Sequence, residues 1–153
     1  KALWISIAIG AVLEIIMEEI FLYLGGLYVY YGNQPLVLIY KLGWWWLPCN
    51  VGGAFLAACI AYYFKDVLKG WKAFILVLLP ACAMAAQYAF ISLPSWIIVN
   101  GEYSAVVTQL AGILTLVLGF VAFAMEMNIF LKINPFDVKN KNNYSHQQLN
   151  EVK

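Results

Sequence analysis

Arginine is absent from this 153-residue sequence, and all nine of its basic residues are lysines. The planar guanidinium fork that binds phosphates and carboxylates with two parallel hydrogen bonds is therefore missing. The formal net charge is only +1, and the sequence has neither a phosphate-binding glycine loop nor a dinucleotide-binding glycine motif. These absences argue against nucleic acids and nucleotides as partners.

Histidine and cysteine are also scarce. The single histidine, His146, lies near the C-terminus and belongs to no nucleophile–histidine pattern. The three cysteines, Cys49, Cys59 and Cys82, lie in apolar segments and lack the paired spacing of a metal site. Cys49 and Cys59 are separated by roughly 15 Å on one predicted helix, which is too far for a disulfide. We interpret the cysteines as small hydrophobic residues and expect neither a metal nor a cofactor.

Charge is the third scarce property, because charged residues make up 11% of the chain and apolar residues 64%. Soluble domains are about a quarter charged and half apolar. Four segments, at about 2–24, 44–64, 71–93 and 103–130, are long and apolar enough to cross a bilayer. We predict an all-α integral membrane protein with a four-helix transmembrane domain, 1–132, and a polar, disordered C-terminal tail, 133–153.

The lysines predict the orientation of these helices. Eight of them lie at the N-terminus, between the second and third segments, or in the tail, and only Lys41 lies on the other side of the predicted bundle. Because cytoplasmic loops are enriched in lysine, both termini are expected in the cytoplasm. The first outer loop is long and apolar, and its "PLVLIY" stretch either lies in the membrane interface or re-enters as a lid.

Small residues predict how the helices pack. In the fourth segment, small or polar residues recur every three or four positions: Thr108, Gly112, Thr115, Gly119, Ala122 and Glu126. Such stripes let helix backbones approach closely. The second segment has a similar stripe at Gly53, Ala57 and Ala61, and the third at Ala81, Ala85 and Ala89. These faces suit packing within the bundle or between copies of the chain.

Three glutamates, Glu14, Glu18 and Glu19, interrupt the first segment. On insertion scales they would cost on the order of 8 to 10 kcal/mol, which the apolar residues of the segment barely offset. At least some of these acids must therefore be protonated, paired or directed into a wet cavity. Glu14 and Glu18 are four residues apart and share a face with Gly10, whereas Glu19 is rotated by about 100°.

Polar side chains also fall at matching depth, because each lies about six residues inside the outer end of its segment. The set comprises Glu18, Asn50, Gln87, Thr108 and Gln109. At 1.5 Å per residue they would form one layer roughly 8 to 9 Å below the outer boundary. This layer is either a hydrogen-bonded network that fixes helix register or a ligand pocket. Glu126 is expected at the cytoplasmic interface, near Lys132.

Carboxylates surrounded by aromatic residues suit acid–base chemistry on an apolar molecule that enters from the bilayer. We predict Glu14 and Glu18 as catalytic residues. We predict as substrate-binding residues Asn50, Gln87, Thr108, Gln109, Trp46, Tyr31 and Glu19. The expected partners are the lipid bilayer and a lipophilic small molecule.

A glutamate-rich first helix is followed by "GLYVYYGNQP", "WWWLPCNVGGAF", "KGWKAF" and "LPSWIIVNG". This order resembles the bacterial spirocyclase family of the AveC type. The resemblance implies a multi-span enzyme of a bacterial inner membrane that closes spiroketal rings on a polyketide, sometimes with dehydration. Membrane-embedded terpene cyclases are similar in being acid-driven and multi-span.

Two other functions fit the same residues. Acids within a membrane are typical of proton- or cation-coupled carriers. The chain could instead be a non-catalytic subunit of a membrane complex, in which a partner chain buries Glu19.

Overall fold

The computed structural model describes residues 1–23 and 27–137. The described residues form five α-helices: α1 Ala2–Tyr23, α2 Leu47–Tyr63, α3 Ile75–Ile91, α4 Leu93–Val99 and α5 Ala105–Ile129. Two short strands, β1 Val37–Ile39 and β2 Leu42–Gly43, precede α2. Turns of 3₁₀ helix at Trp44–Trp46 and Gly70–Phe74 lead into α2 and α3. The predominantly helical fold is confirmed.

Three helical segments of the described chain are long and apolar enough to cross a membrane: Trp44–Tyr63, Gly70–Ile91 and Ala105–Ile129. They correspond to the second, third and fourth predicted segments, so a helical membrane protein is supported at this level. α1 is as long as these segments, with 22 residues. α1 is not apolar enough to be counted with these three segments, because every 18-residue stretch of it contains Glu14, Glu18 and Glu19.

α2 lies at the centre of the bundle and contacts α1, α3 and α5. The contact with α5 is close at Gly119, where an added Cβ atom would lie 2.3 Å from Cβ of Pro48. On α3, Met84 packs equally closely against Gly53. Glycine at these two positions therefore sets the separation between the helix backbones.

The predicted small-residue stripe of α5 is confirmed, because its whole length is buried, from Thr108 to Glu126. The stripe predicted on α3 is not buried. Ala81, Ala85 and Ala89 are exposed, whereas Ala83, Gln87 and Ile91 face the bundle. The third helix is thus rotated from the predicted orientation, since its buried side is defined by the contact with Gly53 rather than by its alanines.

The third predicted segment continues beyond the bend at Ser92 as α4, a helix that the sequence pattern did not predict. Pro94 lies in its first turn, where a missing N–H costs nothing. α4 packs along α5 through Ser95, whose hydroxyl lies 2.7 Å from that of Thr115. The first half of α5 is therefore covered by α4 and by the loop that precedes α2.

The first outer loop folds over the same end of the bundle. Its "PLVLIY" stretch contains β1, which forms a two-stranded antiparallel hairpin with β2, in which Val37 pairs with Gly43 and Ile39 with Leu42. The loop touches α4 at Gly32, whose φ is +72° and where an added Cβ atom would lie 2.5 Å from the Val99 carbonyl oxygen. Only glycine satisfies both conditions without strain.

The beginning of the predicted tail returns to the bundle. Trp4 Nε1 donates to the carbonyl oxygen of Pro135 at 2.8 Å, and the ring of Phe136 lies 6.0 Å from that of Phe120. The remainder of the predicted tail, from 138 onward, lies outside the described residues, as does 24–26 between α1 and the first outer loop.

Candidate functional site

Glu14 of α1 is joined to α2 and α3 by a chain of hydrogen bonds. The side-chain amide nitrogen of Asn50 donates to Oε1 of Glu14. The amide oxygen of the same Asn50 accepts the hydroxyl of Tyr88. All three side chains are partly buried. Asn50 therefore holds the carboxylate of Glu14 and is itself held by Tyr88. These two contacts fix the orientation of the Asn50 amide.

Glu18 lies one turn further along α1 and is held by the first outer loop. Its Oε2 atom accepts the hydroxyl of Tyr30 at 3.0 Å and also the hydroxyl of Tyr28. Burial, followed by the neighbouring charge of Glu18, raises the pKa of the Tyr30 hydroxyl above its ordinary value. The phenol therefore stays protonated and donates to the carboxylate.

Glu14 and Glu18 lie close enough to interact directly with each other. Two ionised carboxylates at this separation repel, and the repulsion disappears when the pair retains one proton. Two adjacent carboxyl groups that share one proton would provide an acid and a base, which is the arrangement required for proton transfer in both directions. The predicted pairing of Glu14 and Glu18 on one face of α1 is therefore present in the structure.

Trp46 lies at the centre of an aromatic cluster that connects the two hydrogen-bonded groups. Its ring centroid is 5.5 Å from that of Tyr30, 5.1 Å from that of Tyr88 and 6.1 Å from that of Trp96. Nε1 of Trp46 is buried and finds no acceptor among the described residues. A buried, unpaired indole N–H is an available donor for a ligand oxygen.

Glu19 is separated from this pair. Both of its carboxylate oxygens are buried. They lie beside the backbone of Leu42 in β2. Since the hairpin of this chain already covers Glu19, a partner chain is not needed to bury it.

Thr108 and Gln109 do not join Asn50, although the sequence predicts a shared depth. They hold the first outer loop instead, because Asn33 donates to the Thr108 hydroxyl at 3.2 Å and the Leu36 N–H donates to Gln109 Oε1 at 2.9 Å. The reason is the position of α5: Gly119, not Thr108, faces Pro48 in the first turn of α2. Thr108 therefore lies roughly 16 Å further out along the helix.

Gln87 does not join the glutamates of α1 either. It is 3% exposed, and its amide nitrogen donates to Oε1 of Glu126, which is 6% exposed. The depth expected for Glu126 stays a prediction, but its side chain is buried in the bundle rather than paired with Lys132. Glu126 lies on the buried stripe of α5, and Lys132 is placed over the ring of Tyr63 at 5.8 Å. The burial of Glu126 could have been inferred from the stripe, which already contained it.

Tyr31 lies at the surface, where its hydroxyl donates to Oδ1 of Asn100 at the end of α4 at 3.3 Å. It positions the loop and does not contact the carboxylates of α1 through any hydrogen bond found in the described chain. Of the predicted residues, the structure thus brings together Glu14, Glu18, Asn50 and Trp46. It adds Tyr28, Tyr30 and Tyr88, which were not among the predicted site residues.

Within 1–23 and 27–137, no three histidine, cysteine, aspartate or glutamate side chains come close enough to hold one metal ion. Comparisons of the chain with protein families, with curated proteins and with solved structures gave no match. The resemblance to spirocyclases therefore stays a prediction, and a function must be argued from the carboxylate site itself.

Proposed function

We propose that this chain is a multi-pass membrane enzyme that uses Glu14 and Glu18 for acid–base chemistry on a lipophilic small molecule. The observation that carries the proposal is the pair of interacting carboxylates of Glu14 and Glu18, which is joined through Tyr30 to the aromatic cluster around Trp46. The buried indole N–H of Trp46 has no acceptor among the described residues, so it is a free donor in that cluster.

The proposal includes α1 as a fourth membrane span with both termini in the cytoplasm. Its exposed face is largely apolar, and its large apolar residues are Ile5, Ile9, Val12, Leu13, Ile16, Met17 and Ile20. Its three glutamates are partly buried on the protein side. Pairing with Asn50 and the loop tyrosines offsets the cost of placing carboxyl groups inside a membrane. On this orientation the carboxylate pair lies in the outer leaflet.

The reaction that we propose is a dehydrative ring closure. One substrate hydroxyl first adds to the ketone, and its proton passes to the carbonyl oxygen, which gives a cyclic hemiketal. The protonated member of the Glu14–Glu18 pair donates its proton to the hemiketal hydroxyl, and the C–O bond breaks to release water and leave an oxocarbenium ion. A second substrate hydroxyl attacks the resulting oxocarbenium ion, forms the new C–O bond and gives its proton to the ionised carboxylate. The proton count is then restored, and no oxidant or reductant is consumed.

The aromatic cluster supports this chemistry in two ways. The faces of Trp46, Tyr30 and Tyr88 can stabilise a developing cation by cation–π attraction. The indole N–H of Trp46 can orient an ether or carbonyl oxygen of the substrate, because it has no competing acceptor among the described residues. Neither role requires a metal or an organic cofactor.

The proposal is tested with vesicles that contain the purified chain and a long-chain dihydroxyketone that can close to a spiroketal. We expect one spiroketal stereoisomer to accumulate together with one equivalent of water, as measured by chiral gas chromatography and mass spectrometry. Empty vesicles show the uncatalysed mixture of isomers. The same mixture and rate in both preparations would contradict the proposal.

A second candidate function is assembly into a membrane complex through α3. Ala81, Ala85 and Ala89 form an exposed small-residue face, and Cys82 is exposed beside them. If copies of the chain pack there, a short bis-maleimide added to native membranes should link Cys82 between copies. Cys82→Ser should abolish the linked species, whereas Cys59→Ser should not, because Cys59 is buried. A chain that stays monomeric under these conditions has no such homo-oligomer.

A further inference from the structure

A cavity that opens at the surface of the bundle lies on another side of α2, between α2, α3 and α5. It has a volume of about 240 Å³. Its wall is built largely from apolar side chains that include Leu56, Phe90, Met125 and Phe130, and it contains two polar side chains, Gln87 and Glu126. It does not include Glu14, Glu18 or any other residue of the carboxylate site.

Glu126 is the unusual element of this wall. Its side chain is more than nine-tenths buried. The amide of Gln87 donates to Oε1, but Oε2 is buried without a hydrogen-bond partner among the described residues. An unpaired carboxyl oxygen in apolar surroundings costs free energy whether the group is ionised or protonated, because it lacks a donor in one state and an acceptor in the other.

The described part of the chain offers no cation to Glu126. The ammonium group of Lys132 lies over the ring of Tyr63, and the described residues form one salt bridge, between Lys69 and Asp66. Cys59 lies close to Glu126 but carries no positive charge. A hydrogen-bond partner for Oε2 of Glu126 must therefore come from outside the described residues.

The residues that line the cavity indicate which kind of ligand fits it. A hard metal cation such as Ca²⁺ takes six to eight oxygen ligands, and this cavity supplies the oxygens of only Glu126 and Gln87. Apolar walls instead suit a hydrocarbon body. At about 30 Å³ for each water-sized group, 240 Å³ accommodates roughly eight such groups. The fitting ligand is thus an amphiphile with a short apolar chain and a single donor.

We infer that this cavity is a second ligand site, where a lipophilic alcohol or amine donates a hydrogen bond to Oε2 of Glu126 and packs its apolar chain between α3 and α5. The site is independent of the Glu14–Glu18 pair, so it can be occupied whether or not that pair is catalytic. An alcohol pairs with either protonation state of Glu126, whereas an ammonium group pairs with the ionised state.

The test uses eight-carbon photoaffinity probes that carry a diazirine and differ only in the head group: a hydroxyl, an amine or hydrogen. Each probe is cross-linked to the full chain in lipid nanodiscs, and the labelled peptides are mapped by mass spectrometry. We expect the hydroxyl or amine probe to label α3 and α5 at the cavity, with competition by excess 1-octanol or octylamine. Labelling by the hydroxyl probe alone or the amine probe alone also supports the site.

Substitutions test whether Glu126 accepts the hydrogen bond of the ligand. Glu126→Leu should reduce cavity labelling by about tenfold, the expected loss for one hydrogen bond to a carboxylate. Ala86→Trp fills the cavity without altering Glu126 and should have the same effect. Glu102→Gln, which changes an exposed glutamate of the outer loop, should not alter labelling. Circular dichroism and size-exclusion chromatography verify that each variant folds.

Three results would overturn the inference. In the first, none of the probes labels the cavity. In the second, the headless probe labels it as strongly as the others, which indicates simple partitioning. In the third, folded Ala86→Trp retains full labelling; this variant decides the question even if Glu126→Leu fails to fold.

Discussion

The side-chain amide of Asn50 donates to the carboxylate of Glu14. This contact connects the helix that carries the acids to the central helix of the bundle. α1 and α2 also meet through an apolar contact, that of Gly10 with Val51. The position of α1 and the position of its acids are therefore set by the same interaction.

Replacement of Asn50 by leucine should destabilise the fold. Asn50→Leu leaves Glu14 without its donor and Tyr88 without its acceptor, and an unpaired buried polar group costs about 1–3 kcal/mol. We expect a lower thermal unfolding midpoint in detergent, measured by circular dichroism. The matched control is Asn128→Leu at an exposed position of α5, which should leave the midpoint almost unchanged. Equal midpoints for the two variants would show that the Asn50 contacts contribute no net stability.

The two adjacent tryptophans should respond differently to loss of their indole N–H. Trp45 is fully buried and donates to Gln34 at 2.9 Å, so Trp45→Phe loses a hydrogen bond and leaves Gln34 with an unpaired oxygen. Trp46→Phe loses an N–H that has no acceptor among the described residues. Trp45→Phe should therefore cost about 1–3 kcal/mol more than Trp46→Phe in the free energy of unfolding.

The effects of these two substitutions on KM should have the opposite order. If the Trp46 N–H orients a substrate oxygen, Trp46→Phe should raise KM for the dihydroxyketone, while Trp45→Phe should change KM little in the fraction that is folded. The kinetics are measured on both variants in vesicles after normalisation to folded protein. An unchanged KM in Trp46→Phe would remove this donor from the substrate site.

The close packing at Gly119 predicts how an alanine at this position changes the free energy of unfolding. Within a helix, alanine normally stabilises relative to glycine by about 0.5–1 kcal/mol. At Gly119 the added carbon would lie 2.3 Å from Pro48, whereas at Gly10 it would lie 3.3 Å from a Val51 methyl group that can move. Gly119→Ala should therefore destabilise by about 1–3 kcal/mol, and Gly10→Ala should be neutral or stabilising. Similar unfolding midpoints would contradict the α2–α5 contact.

The membrane topology is tested by cysteine labelling. In a chain that lacks Cys49, Cys59 and Cys82, single cysteines are introduced as Ala2→Cys and Tyr31→Cys. If α1 spans the membrane with the N-terminus inside, a membrane-impermeant maleimide added to intact cells labels Tyr31→Cys and not Ala2→Cys. Lysis should expose Ala2→Cys to the same reagent. Labelling of both positions in intact cells would place both ends of α1 on the outside.

The sequence predicts the helices well because their apolar runs match the thickness of a bilayer, and the spacing from Thr108 to Glu126 correctly identifies the buried face of α5. The sequence predicts poorly how deep each polar residue lies within the bundle. Counting from each helix end assumes that all ends lie in one plane, whereas α4 and the outer loop cover the first turns of α5. For that reason Thr108 meets Asn33 rather than Asn50.

The candidate site is predicted in part for a similar physical reason. Glu14 and Glu18 share a face by helical periodicity alone, so their proximity follows from the sequence. Their partners come from other elements: Tyr28 and Tyr30 arrive through the fold of the outer loop, and Tyr88 through the rotation of α3. Periodicity within one helix contains no information about these tertiary contacts.

The most direct test of the acid–base account compares turnover of the dihydroxyketone by the unaltered chain, Glu18→Gln and Glu102→Gln in matched vesicles. Removal of a general acid or base slows a reaction by about 10²–10⁴-fold. We predict a loss of that order for Glu18→Gln, a normal circular dichroism spectrum for the same variant, and full turnover for Glu102→Gln. Unaltered turnover by folded Glu18→Gln would contradict the account.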